Sequence, residues 1–480
     1  MRRTSRASVL QETGGVVPER RTDVEETIVV EAASVEALGY RQELKRSLSL
    51  GDLLVYGLIF IVPGAPISVF GIVFNASAGM VPLVYLVGMV AMLFTAASYV
   101  TMSRVYPVAG SVYAYSGRAI GPTVGFLTGW IMLLDYLLLP TLIYILSAVA
   151  VHAVVPDVPK IAWIVGFVVV NTVLSLRGIE TTARTSLWLL VFQLAGLVAF
   201  LVMATIGLLH GTAGAHWSFK PLFNPEVATP SLIFGALSLA VLSFLGFDAI
   251  STLSEEAKGG ARAIGRATYL SLLLTAGIFV VLTYAASLFV LDQTRFPHGD
   301  RTEAAFYDIA LVVGGAWLKW VLTVPGVLFA GLPGALAAQV ATSRLLFSMA
   351  RDGRLPRGLA HVSDTHHVPD RAALLVSAVT LVLGVAMSGE LEVLTSMVNF
   401  GALSGFLLLH VSVIAHAAKS AATGRARWLP IVSATIGFGV IAYVMLNLNA
   451  TAKLVGGAWL VIGMASLLVR SSRAAASSPR

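Results

Sequence analysis

The chain has 480 residues, of which 57% are apolar and only 12% charged. Soluble domains carry nearer a quarter charged residues, so this composition excludes an ordinary water-soluble globular protein. The net charge is +7 and no cysteine is present, which removes disulfides, cysteine-ligated iron–sulfur clusters and thiol catalysis.

Residues 1–45 are polar, charged and poor in aromatics, and they read as a cytoplasmic tail without the apolar stretch of a signal peptide. Apolar runs of about twenty residues then recur almost to the end, which is the signature of spanning helices. The bilayer core lacks water, so each run satisfies its backbone hydrogen bonds as a helix. The predicted spans are 51–75, 80–103, 123–153, 160–177, 186–209, 231–256, 268–291, 317–350, 371–388, 391–416, 428–447 and 451–470. The eighth is longer than a straight crossing needs. Residues 292–316 read as an external loop with a short helix, and 471–480 as a second cytoplasmic tail.

Orientation follows from the arginines and lysines of the short loops. With the N-terminus inside, the inner loops hold Arg104, Arg118, Arg177, Arg184, Arg262, Arg266, Arg351 and Arg354, while the outer ones collect Asp157, Glu226, Asp292 and Asp300. Both termini are then cytoplasmic. The basic excess becomes a topology signal facing the lipid bilayer, not a nucleic-acid surface.

Two spans are not ordinary. Span one contains Pro63-Gly64-Ala65-Pro66 followed by Ile67-Ser68, and each proline removes a backbone donor and clashes with the preceding turn. Span six contains Ser243-Phe244-Leu245-Gly246-Phe247-Asp248, a glycine beside an intramembrane acid. Either break alone is equally well read as a kink that only helps packing. Breaks at matching positions of two halves point to a transporter binding site. Here the halves are repeat one, about 51–209, and repeat two, about 231–416, with extra helices at about 428–470. The expected substrate-binding residues are Pro63, Gly64, Ala65, Pro66, Ser68, Tyr113, Ser243, Gly246 and Phe247.

An ionisable residue within a span is a functional hypothesis by default. Asp248 is the expected coupling residue, with a static acid bonded to backbone at the break as the alternative. Asp135 is the second such acid, and a structural pairing is its alternative. Glu255 and Glu256 are expected to pair with or cap near Arg262 and Arg266. Tyr113 and Tyr115 suit a cationic substrate by cation–π contact, or the membrane interface as anchors. His366-His367 has no ligand-spaced partners, so neither a metal nor another cofactor is expected. Asn75-Ala76-Ser77 and Asn449-Ala450-Thr451 match glycosylation sequons, which often arise by chance.

No HExxH, G-x-S-x-G or P-loop motif is present, so the sequence predicts no enzyme. A channel would line its pore with repeated polar rings, and none is evident.

Several segments, in order, resemble the amino acid–polyamine–organocation permeases over about residues 45–420. They are Tyr106-Pro107-Val108-Ala109-Gly110-Ser111-Val112-Tyr113-Ala114-Tyr115, then Phe244 to Asp248 with Glu255-Glu256, then Ser343-Arg344-Leu345-Leu346-Phe347-Ser348-Met349-Ala350-Arg351-Asp352-Gly353. The chain is most similar to the bacterial putrescine importer branch, through Leu133-Leu134-Asp135-Tyr136 and Asn399-Phe400-Gly401-Ala402-Leu403 among others. The resemblance implies an all-α integral membrane fold, a five-plus-five inverted repeat of the LeuT type with helices 1 and 6 broken. It implies secondary transport of amino acids, small amines or polyamines across the cell membrane, with protons as the expected coupling ion. Exchange of substrate for product, and nutrient sensing, are the alternatives. Three departures stand out. Pro63-Gly64-Ala65-Pro66 replaces the family's glycine cluster. Ser68 stands where the putrescine importer has an acid, so putrescine is not carried across. Gln193 stands where some proton-coupled relatives have a lysine, so a lysine substituting for sodium is not carried across either.

Overall fold

Helices begin where the sequence offers a first-turn proline or a cap. Pro66, Pro82, Pro122 and Pro230 all sit in first turns, where the missing N–H has no intrahelical partner to lose. Ser49 and Asp52 close a reciprocal capping box at the start of span one. A computed structural model describes residues 44, 46–152, 157–177, 179–293, 295–297, 302, 304–420, 423–448 and 450–476. The N-terminal tail, but for Leu44, lies outside them, as do Asp300 and Asn449. The described residues contain helices, turns and one isolated bridge, and no named strand.

Among the described residues ten helices are long and apolar enough to cross a membrane, and the bent pair Leu50–Ile61 and Ala65–Ser77, taken as one broken span, is an eleventh. The expected ninth span is the 17-residue helix Asp370–Ala386. Multi-pass architecture is thereby established by length and composition. Large apolar side chains that are about half exposed, such as Val191, Phe192, Val198 and Val202 on span five, form the faces that hydrocarbon would solvate.

Most expected boundaries fall within a few residues of those observed. Three ends differ by more: the helix of span five begins at Ile179, not 186, the last helix runs on to Ala476, not 470, and span seven begins at Gly260, not 268. Arg262 and Arg266 therefore lie on the helix, one turn apart, both exposed, with Ala263, Ile264 and Ala267 buried behind them. Averaged hydropathy stops at those charges, whereas an amphipathic turn carries the helix through them. The short apolar helix Ala305–Gly314 occupies the segment expected to hold one. Asn75 bonds Phe296 in both directions, its Nδ2 donating to the carbonyl at 3.0 Å and its Oδ1 accepting from the N–H at 2.8 Å. That sequon asparagine is thus structural.

The eighth crossing is not one straight helix. Ala316–Phe329 and Ala335–Arg351 are joined by a π-helical turn, Ala330–Gly334, with Pro325 and Pro333 close by. Its carbonyls at Gly331 and Leu332 accept from Asn171 Nδ2 at 3.1 and 3.0 Å, so span four satisfies what the widened turn frees. Span three shows the same economy. Pro140 has no N–H for the carbonyl of Tyr136, four residues earlier, and the Thr342 hydroxyl donates to that carbonyl instead.

Candidate functional site

Span one is interrupted at Val62, Pro63 and Gly64, and its halves are bent by 43°. Val62 closes the first half at φ 58°. A β-branched residue there is strained by about 1–3 kcal/mol, and such strain concentrates at functional sites. Span six is interrupted over a longer stretch: the α-helix Pro230–Ala240, a 3₁₀ turn Val241–Phe244, extended Leu245, Gly246 at φ 118°, then a second 3₁₀ segment Phe247–Leu253. Both interruptions occur where the prolines and glycine place them.

The two breaks touch. A Cβ on Gly246 would lie 2.8 Å from the carbonyl carbon of Phe60 and 3.0 Å from the nitrogen of Ile61, so backbone packs on backbone and only glycine fits. The ends of these spans are also tied together. Ser47 and Leu48 donate to the carbonyl of Glu256 at 3.1 and 3.0 Å, and Lys258 donates to that of Leu48 at 2.9 Å.

Beside the contact lies a cavity of about 170 Å³. Gly64, Ala65 and Ser68 of span one and Ser243 of span six, four of the residues expected at the substrate site, line it. Ser243 is engaged by Tyr85, hydroxyl to hydroxyl at 2.9 Å. Pro63, Pro66, Gly246 and Phe247 shape the breaks without lining the cavity. Tyr113 is elsewhere: its hydroxyl donates to Asp352 at 2.8 Å, at a separate cavity with Arg118 and Arg354. Span three adds Leu142 and Ser147 to the main cavity, span five adds Gln193, and span eight adds Val327 and Ala330. Sequence reasoning did not assign these to the substrate site. The prolines around Ala330 were the available signal for span eight, and nothing in the pattern of span three marked Ser147.

Asp248 lies on the other side of the Gly246 kink, 2% exposed. Its Oδ2 accepts from the Tyr136 hydroxyl at 2.5 Å and its Oδ1 from the Gly246 N–H at 3.1 Å. The acid therefore helps hold the break in shape. Asp135 is 3% exposed and its Oδ1 has no hydrogen-bond partner. Among the described residues neither acid is in a salt bridge, and no group of three or more metal-ligating side chains occurs.

Glu255 and Glu256 do form ion pairs, but not with Arg262 and Arg266. Glu256 takes a two-pronged bond from Arg344, Nε to Oε1 at 2.5 Å and Nη2 to Oε2 at 2.8 Å. Glu255 takes one from Arg351 at 2.8 and 3.2 Å, and the Ala109 N–H at 2.9 Å. Arg344 and Arg351 are seven residues apart, two turns along one face of span eight. The chain-local arginines sit on the outward face of span seven and cannot reach. These bridges join span eight to the end of span six, and the Glu255 bond with Ala109 adds the segment before span three.

Paired helix breaks enclosing a cavity in a multi-pass bundle define a carrier-type membrane transporter. The comparisons specify the family. The family described as Amino acid permease matches residues 63–465. The low-affinity putrescine importer PlaP of Escherichia coli (strain K12) is 32% identical over 432 residues, 88% of this chain and 93% of that protein. The branched-chain amino acid permease BcaP of Bacillus subtilis (strain 168) is 26% identical over 456 residues, 90% of this chain and 94% of its own length. The methylthioribose transporter of the same organism is 24% identical over 459 residues, again 90% and 94%. This chain belongs to the amino acid permease family of the amino acid–polyamine–organocation superfamily, and it is a secondary transporter.

Proposed function

We propose that the protein carries amino acids or small amines across the cell membrane into the cytoplasm, that the substrate binds in the cavity beside the two breaks, and that protons drive the uptake. The observation that carries the site is the backbone contact of Gly246 with Phe60 and Ile61, because it makes the two discontinuities one structure with the cavity at its side. The named substrates of the relatives, putrescine and branched-chain amino acids, support the substrate range.

Proton coupling rests on Asp248 and Asp135. An ionised carboxylate at mid-membrane costs about 3 kcal/mol on insertion scales, and neither acid has a basic partner among the described salt bridges. Protonation of Asp248 weakens its acceptor bonds to Gly246 and Tyr136. The shape of the break and the proton are then linked, as a two-state carrier requires. Asp135 is the second candidate for the proton. The acid's contact with backbone supports a static role equally directly, so function decides between the two. Purified protein in proteoliposomes is expected to accumulate labelled leucine or putrescine several-fold faster under an inward proton gradient. Uptake at the same rate with and without the gradient would overturn proton coupling.

The arginine distribution supports a cytoplasmic position for both termini. The chain contains no cysteine, so one introduced at the exposed position 262 reports cleanly. An impermeant maleimide added outside intact cells should leave it unlabelled and should label it after permeabilisation; external labelling would reverse the topology.

A further inference from the structure

The cavity has polar atoms that the protein itself leaves unused. Gln193 is 4% exposed and, among the described residues, its Oε1 has no hydrogen-bond partner; Ser147 is 3% exposed and its Oγ has none there either. Both line the cavity, from spans five and three. The Gln193 carboxamide reaches the break in span one, since a Cβ on Gly64 would lie 2.8 Å from its Nε2. Ser147 Oγ reaches the π-helical turn of span eight, 2.8 Å from where a Cβ on Gly331 would stand. Ser243, another hydroxyl of the lining, is already paired with Tyr85.

A buried polar group without a partner is costly, and one aimed into a cavity is satisfied by what occupies it. The remaining wall sets the chemistry of that occupant. It is aliphatic, with Leu139, Leu142, Ile143, Leu146, Leu322 and Val327, and it contains no Asp, Glu, Lys, Arg or His. A second ammonium group would enter without a carboxylate to meet it, and an unpaired charge in such surroundings is heavily penalised. An aliphatic side chain is accepted there by area burial.

We propose that Gln193 and Ser147 contact the substrate directly, and that the cavity selects an amino acid with a neutral aliphatic side chain over a diamine. This inference rests on the transport reading above and narrows it. Gln193 acts as the specificity-determining residue, because its buried amide oxygen faces the cavity with no partner among the described residues.

Ligand binding to the full-length purified protein, followed by thermal shift and by radioligand competition, tests it with L-valine and putrescine as probes. Wild type is expected to bind valine at least tenfold more tightly than putrescine. Gln193→Leu and Ser147→Ala should each weaken valine binding about tenfold or more, with unliganded melting temperatures near wild type. Gln193→Glu supplies a carboxylate and should raise putrescine affinity at the expense of valine. Wild type binding putrescine as tightly as valine overturns the inference and leaves the transport reading intact. Unchanged valine affinity in both Gln193→Leu and Ser147→Ala also overturns it. Binding of neither probe, nor of any other amino acid or amine in a panel, overturns the transport reading together with this one.

Discussion

Gly246→Ala is expected to abolish transport and to lower the melting temperature sharply. Two independent costs fall on one methyl group. At φ 118° any Cβ is strained, by about 1–3 kcal/mol. The methyl would also press on the backbone of Phe60 and Ile61 at 2.8 and 3.0 Å, where neither neighbour is the end of a flexible side chain. Overpacking of that kind costs about 1–3 kcal/mol more. Gly235→Ala, at a helical glycine with nothing within 4 Å of the new methyl, is the control. It should be neutral or stabilising by up to about 1 kcal/mol. Melting curves in detergent and uptake in proteoliposomes read both variants; a Gly246→Ala protein with normal stability and transport would mean that the breaks need not touch.

The second large effect concerns Asp248. Asparagine keeps the size of the side chain and one acceptor oxygen, so the bond from Gly246 persists, but it imitates only the protonated acid. Asp248→Asn should retain substrate binding and exchange while losing its acceleration by an inward proton gradient, a several-fold effect reduced to none. If gradient-driven uptake survives undiminished, Asp248 is structural and Asp135 becomes the coupling residue to test. The Oδ1 of Asp135 that lacks a partner makes it the natural successor.

Much of this architecture is legible from the residues because the bilayer allows few solutions. Apolar length reveals the spans, and Pro63, Pro66 and Gly246 mark the breaks through purely local chemistry. What escapes the sequence is contact between distant spans. Asp248 and Tyr136 are 112 residues apart and meet only after folding. Glu255 and Glu256 choose arginines on span eight, not the nearer ones on span seven, because helix faces decide partners and sequence distance does not. The extent of span seven was misjudged for a related reason: its first turns are half polar, and averaged hydropathy discards them. Tyr113 stood in a motif shared with transporters, yet its ring faces a different cavity, since its position on the short helix Ser111–Ala119 directs it toward Asp352. Span eight was singled out only for its excess length, and its π-helical turn depends on Asn171 from span four.

The central claim is that substrate occupies the cavity beside the two breaks, and one measurement addresses it most directly. Ser68 is exposed and lines that cavity, and a Ser68→Cys protein carries the only thiol in the chain. Its rate of modification by a small methanethiosulfonate reagent is measured with and without saturating transported substrate. The account predicts that substrate slows the reaction at least tenfold, and that a cysteine at position 262, exposed at the start of span seven, reacts at the same rate in both conditions. Equal rates at position 68, in a variant shown to bind the substrate, would contradict it.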